Sequence, residues 1–404
     1  MPNFLQKALR KLDSIVDLHV PYNINYRPSG YHPTLQDYLS SSGAEAVEVY
    51  PSEISKLDVP ENLCKSNKYQ IPVQQVGVQP PAMVIAVKSG RICTNAVNYA
   101  AIVAEDNKLI GDISLQVGST NPADNLVFKQ KWFTTPMYLK GSAFHTLIGG
   151  SGDSNYFHWM IDSLPRLHLL KKAGWFDKVD WFVVPRSSLS YQKDTLRILG
   201  IDTTKTVEGH QIKHIQADKL YTSTFVRNIE HIPAWVCSFL RDSFLPVAQR
   251  TAITPKRIYI SRQDSNYRNV ENEKAVVDLL QKYGFEKVLL SELAFTEQVT
   301  LFKNAEYIVS PHGAGLTNIV FCQPGTQVIE IFAKEYTPSL YADLASKVSL
   351  SYSHITSFSY PVARNQRAAM HKSINVPLDK LEETIQKAIT EKKQVQYDLE
   401  QEVI

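Results

Sequence analysis

"SPHGAGLTN", residues 310–318, follows the apolar run "EYIV" and runs into "IVFCQPG". Small residues between a strand-like and a helix-like segment let backbone N–H groups come close to something anionic. The pattern is neither a Walker loop nor the dinucleotide fingerprint G-x-G-x-x-G. Its neighbours set the fold class. "RIYIS" (257–261), "FEKVLL" (285–290), "EYIVS" (306–310) and "TQVIEIF" (326–332) read as strands. Between and after them, "NEKAVVDLLQKYG", "FTEQVTLFKNA", "GLTNIVFC" and "SLYADLASKV" read as helices. Such alternation predicts an α/β unit built on a parallel sheet with helices on both faces.

A second α/β block precedes it. "AFHTLIGG", "VDWFVV" and "KLYTSTFV" are strand-like; "NYFHWMIDSLPRLHLLKKAG", "YQKDTLRILG" and "AWVCSFLRDSFLPVAQ" are helix-like. Short β-branched runs from residue 82 to 116 predict a small antiparallel sheet. The expected organisation is an irregular N-terminal extension (1–80), a first α/β domain (81–250), a second (251–376) and a charged C-terminal helix (377–404).

With 44% hydrophobic and 21% charged residues the chain of 404 reads as soluble and globular. A net charge of +3 is too small to mark a nucleic-acid binder, so any anion site must be local. The four cysteines are dispersed, which argues against a disulfide framework and fits a reducing, cytoplasmic setting. No signal peptide or membrane-spanning run is visible. Residues 3–18 carry Phe4, Leu5, Ala8, Leu12, Ile15 and Val16 on one helical face and Lys7, Arg10 and Lys11 on the other. They either pack on their own domain or touch the inner face of a membrane.

In an open parallel sheet, ligands bind beyond the carboxyl ends of the strands, where the glycine turn lies. Gly313, Ala314, Gly315 and Leu316 offer backbone donors there, and His312, Thr317 and Asn318 offer side-chain donors. Arg262 and Arg268 leave the first strand of the block, and guanidinium groups suit phosphate. Glu330 interrupts the apolar strand "VIEIF". A buried carboxylate needs partners, either a ribose diol or an internal cation. A nucleotide diphosphate fits all three features; a tight turn with an ion pair is the plain alternative.

The helix "NYFHWMIDSLPRL" is apolar nearly all round, yet Asn155, His158, Asp162 and Arg166 fall three, four and four apart along one face. His158 and Asp162 can hydrogen-bond, and His145 can join the same wall. Such a stripe is a structural network or a general base.

Three segments, "NYFHWMIDSLPRL", "RIYISRQDSNYRNV" and "FTEQVTLFKNAEYIVSPHGAGLTNIVFCQPGTQVIEIF", resemble glycosyltransferase family 61 over roughly residues 140 to 355. The resemblance implies a GT-B fold, two Rossmann-like domains facing across a cleft. It also implies inverting, metal-independent transfer from a nucleotide sugar, usually a UDP-sugar, to a glycan or lipid-linked glycan acceptor. By position, residues 312–318 would cradle the diphosphate, Arg262 and Arg268 would neutralise it, and Glu330 would hold the ribose. Asp162, oriented by His158, or His158 itself, would serve as base. No cofactor and no metal ion are expected, and the bacterial, capsular or envelope polysaccharide members look most similar. A polysaccharide pyruvyltransferase, a nucleotide-sugar epimerase and a non-catalytic glycan- or nucleotide-binding protein are the rival readings.

Overall fold

The computed structural model describes residues 25–60, 63, 75–95, 99–116, 121–148, 154–227, 231–249 and 254–402. Residues 3–18 lie outside that set. The chain divides into two compact units. One comprises residues up to 51, 81–192 and 201–225; the other comprises 52–80, 193–200 and 226 onward.

The second unit is built on a five-stranded sheet in which every pairing is parallel. Its spatial order is Glu286–Val288, Arg257–Ile260, Tyr307–Pro311, Gln327–Ala333, Ser351–Ser357. In chain order this is 2-1-3-4-5, a doubly wound arrangement whose direction reverses between the first and third strands. The expected strands and crossover helices are all present. Residues alternate between the faces: Tyr307, Val309, Ile329 and Ile331 pack under helices Glu273–Lys282 and Leu378–Glu402. Phe332 turns the other way, onto Ala342 and Leu63. The edge strand Ser351–Ser357 has no apolar signature, because SYSHITS is polar and buries only Ile355.

The segment after the glycine turn, Ala314–Phe321, is a 3-10 helix whose last six residues are buried. Arg241 closes its far end by donating from Nη1 to the carbonyls of Val320 and Cys322, each at 2.7 Å. Arg241 comes from helix Ala234–Phe244, whose Phe244 sits edge-on to Phe295 and Phe321 at 5.1 and 6.3 Å. That aromatic cluster is why this helix groups with the second unit, ahead of the break expected near residue 250.

The first unit is an eleven-stranded mixed sheet. Strands Met137–His145, Trp181–Val184, Thr206–Glu208 and His214–Ser223 are its parallel part. The antiparallel strands do not form a separate small sheet. Strand His214–Ser223 is ten residues long, enough to pair antiparallel with both Ala82–Lys88 and Arg91–Thr94, which fuses the two regions. The N-terminal lead-in is also more regular than its composition implies. "TLQD" forms a capping box: Asp37 N donates to Thr34 Oγ1 (3.1 Å) and Thr34 N to Asp37 Oδ2 (3.0 Å). Helix Leu35–Ser42 then ends at Gly43, whose φ of +65° suits glycine.

Among the described residues no helix is long and apolar enough to cross a membrane. The aromatic cluster around Phe321, which is fully buried, should dominate local stability. Phe321→Ala is expected to cost about 3–5 kcal/mol, measured as a lowered urea midpoint at unchanged slope.

Candidate functional site

Strand reversal in the second unit places the carboxyl ends of Arg257–Ile260 and Tyr307–Pro311 side by side, with their crossovers leaving in opposite directions. Two arginines stand at this opening. Arg262 donates from Nη2 to Ser265 Oγ (2.6 Å), and from Nε (3.1 Å) and Nη2 (2.9 Å) to the carbonyl of Tyr267. Arg268 donates from Nε to the His312 carbonyl (2.9 Å) and from Nη1 to the Met370 carbonyl (2.6 Å). Backbone oxygens therefore pin both cations. Among the described residues, neither guanidinium has a carboxylate within the 4.0 Å that defines an ion pair. Burial, and then the charge of Arg268, pushes Arg262 down to about 10. Arg268 itself adopts a φ of +59°, a costly conformation for a residue with a side chain. Two like charges held together at a strained backbone position form a ready anion site.

The glycines of the turn are required by crowding, since neither adopts the left-handed backbone that favours glycine. A Cβ on Gly313 would lie 1.8 Å from Arg262 Nη1, and one on Gly315 would lie 2.6 Å from Leu290 Cδ1. Gly313 thus makes room for the guanidinium that faces the opening. The side chains of Leu316, Thr317 and Asn318 are fully buried, so they do not line this opening as expected. Asn318 Nδ2 donates to Gln298 Oε1 (2.9 Å), and Gln298 Nε2 donates to the carbonyls of Leu290 and Leu293. This bridge fixes the turn and explains the glutamine in "FTEQ". The donors that remain are the free N–H groups at the start of the short helix, at Ala314 and Gly315.

Glu330 has no solvent exposure, and both its oxygens are taken. Oε1 lies 2.5 Å from His312 Nδ1, and Oε2 accepts from Tyr352 OH at 2.6 Å. A ribose would have to displace one of these partners. Burial pushes Glu330 up to about 8, while burial and then the two arginines hold His312 well below its ordinary range. The pair therefore carries one shared proton and no net charge. Glu330 orients the ring of His312, which also stacks on Phe332 at 5.4 Å. Tyr352 sits in the unannounced edge strand, and nothing in the sequence flagged it.

In the first unit, His158 Nδ1–H donates to Asp162 Oδ2 at 2.6 Å, as the spacing predicts. The His158 side chain is 33% exposed and that of Asp162 16%, so the pair is open on the histidine side. Asn155 is instead the helix cap, accepting from the N–H groups of Phe157 (3.0 Å) and His158 (3.4 Å). The helix is not uniform: Trp159–Ser163 is a π-helical turn, a feature that recurs at functional sites. Arg166 is buried at 2% exposure, makes long contacts to Ser223, at 3.4 and 3.5 Å, and lies over the Phe225 ring at 5.9 Å. Burial lowers it to about 10, offset by the charge of Asp162. His145 meets Thr222 Oγ1 at 2.7 Å, and burial followed by Arg166 keeps it neutral. The wall thus holds a fixed cation behind an acid–base pair. Among the described residues no three His, Cys, Asp or Glu side chains converge as metal ligands.

His158, Asp162, Arg166, Arg262, Arg268 and the glycine turn fall inside one family match, and His145, Asn155 and Glu330 lie outside it. Residues 156–329 match the Glycosyltransferase 61 family model. The matched segment runs from the His158 helix to the residue before Glu330. An EGF domain-specific O-linked N-acetylglucosamine transferase from Drosophila melanogaster is 32% identical over 116 residues, 28% of this chain and 21% of that protein. The xylan glycosyltransferase MUCI21 of Arabidopsis thaliana is 29% identical over 110 residues, 26% of this chain and 22% of its own length. The beta-1,2-xylosyltransferase RCN11 of Oryza sativa subsp. japonica is 30% identical over 91 residues, 20% and 17% of the two chains. The chain thus spans only about a fifth of the length of these curated relatives. All three come from animals or plants, and none is a bacterial capsule protein.

The neutral pair gives a pH signature with a definite sign. Between the free histidine value of 6.5 and the raised Glu330 value near 8, the folded pair keeps a proton that the unfolded chain has lost. Stability should therefore fall as pH rises from 6.5 to 8. Below 6.5, down to the free glutamate value of 4.5, the unfolded histidine regains its proton and the two effects cancel. Glu330→Gln removes the loss above pH 6.5, so urea unfolding at pH 6.5 and 8.5 should show a smaller difference in the variant than in the parent.

Proposed function

We propose that this protein is an inverting, metal-independent glycosyltransferase that moves a sugar from a nucleotide sugar, a UDP-sugar by preference, to a hydroxyl of a glycan acceptor in polysaccharide assembly. The GT-B organisation belongs to the same proposal. The carrying observation is the pair Arg262 and Arg268, pinned by backbone carbonyls and, among the described residues, without an ion-paired carboxylate at the sheet's point of reversal. The family match and the three glycosyltransferase relatives support the reaction class.

The chemistry follows from the residues. The acceptor O–H loses its proton to the His158–Asp162 pair as its oxygen attacks the anomeric carbon from the face opposite the leaving group. The anomeric C–O bond breaks, and its electrons pass to the diphosphate oxygen. The two guanidiniums and the N–H groups of the glycine turn stabilise that charge. Glu330 acts through His312, whose carbonyl receives Arg268. With Glu330 bonded to His312 and Tyr352, the choice between a sugar transferase and a pyruvyltransferase rests on the donor itself.

A donor panel of UDP-, GDP-, CDP- and dTDP-sugars with phosphoenolpyruvate, incubated with and without EDTA, tests the reading by mass spectrometry of released nucleotide or phosphate. Slow, EDTA-insensitive hydrolysis of one sugar nucleotide, lost in Arg262→Ala and in Asp162→Asn, is the expected result. Consumption of phosphoenolpyruvate alone would replace the reading with the pyruvyltransferase. Arg166→Met should move the acid limb of the pH–rate profile upward by about one unit, because a cation beside the base favours its deprotonated form. Arg166→Lys should leave that limb in place.

A further inference from the structure

The two turns that hold the arginines also expose two rings. Tyr267, whose carbonyl receives Arg262, leaves its side chain 48% exposed. His371, likewise exposed, follows Met370, whose carbonyl receives Arg268. The rings meet at 4.6 Å between centroids with their planes at 64°, an edge-to-face contact that leaves a face open. Tyr267 lies in the polar loop "QDSNYRN" and belongs to no hydrophobic core. Packing therefore does not account for it. Tyr267 itself supplies a carbonyl that grips one cation, and His371 directly follows the residue that supplies a carbonyl to the other, so both rings spring from the backbone that holds the cation pair.

We propose that Tyr267 and His371 form a shelf on which the base of a nucleoside diphosphate stacks while its phosphates meet Arg262 and Arg268. The inference rests on the donor-site reading above and adds the residues that distinguish a nucleotide from a bare diphosphate. Stacking suits a site of this kind because every base offers a π face. The proposal concerns binding, so no turnover is needed to test it.

Calorimetric titration of the full chain with inorganic pyrophosphate and with UDP, GDP, CDP and dTDP provides the test. The preferred nucleotide should bind the parent at least tenfold more tightly than pyrophosphate. Tyr267→Ala should remove about tenfold of nucleotide affinity while leaving pyrophosphate affinity unchanged, because alanine keeps the carbonyl that pins Arg262. His371→Ala should act in the same direction, Tyr267→Phe should behave as the parent, and Arg262→Ala should weaken both ligands. Unchanged nucleotide affinity in Tyr267→Ala overturns the shelf. So does an equal loss for nucleotide and pyrophosphate, which would reduce Tyr267 to a support for Arg262. Nucleotide binding that depends on Tyr267, with no binding of pyrophosphate and no effect of Arg262→Ala, would keep the shelf and overturn the diphosphate site. Absence of all binding overturns both.

Discussion

Two guanidinium groups of like charge do not share a corner of a protein unless something holds them there. Here the holding is done by main-chain carbonyls, at Tyr267, His312 and Met370, while burial and then the charge of Arg268 lower the proton affinity of Arg262. Carbonyl partners immobilise a cation without neutralising it, whereas a carboxylate would do both. The glycine at position 313 follows from the same requirement, because the space of its missing side chain is occupied by Arg262 Nη1. So does the buried pair below, since His312 presents its carbonyl to Arg268 only while its ring is fixed by Glu330 and by Phe332. Much of the local architecture serves to keep positive charge in place.

The first unit uses the opposite arrangement. Its cation, Arg166, is buried and remote from solvent, with long contacts to Ser223. The group it influences, Asp162, lies toward the surface beside a more exposed histidine. A fixed interior charge behind a titratable pair biases protonation without competing for a ligand. The π-helical turn Trp159–Ser163 contains Asp162, follows His158 and precedes Arg166, and it breaks the even helical spacing on which their alignment was first inferred.

The order of strands and helices in the second unit was legible, apart from the polar edge strand Ser351–Ser357, because its strands are runs closed by turn residues and its helices have their own period. Arg262 and the glycine turn were legible for the same reason, since both lie at predicted strand ends. What escaped reading depends on tertiary partners. A carboxylate within "VIEIF" calls for partners, but no pattern says whether they come from a ligand or from Tyr352 on a polar edge strand. Asn318 is a donor by type, yet its direction is set by Gln298 on a separate helix. Asn155 shares spacing with His158 but spends its oxygen on the helix terminus. The fusion of antiparallel and parallel strands through His214–Ser223 likewise depends on a pairing remote in sequence.

The left-handed backbone at Arg268 sets durability against competence. A residue with φ near +59° is most at ease as glycine or asparagine, and relief of such strain ordinarily makes a fold sturdier. At this position the same change deletes one of the paired cations. Selection for heat resistance alone would drift toward a hardier protein with an emptied anion site, and only selection for ligand capture would keep the arginine.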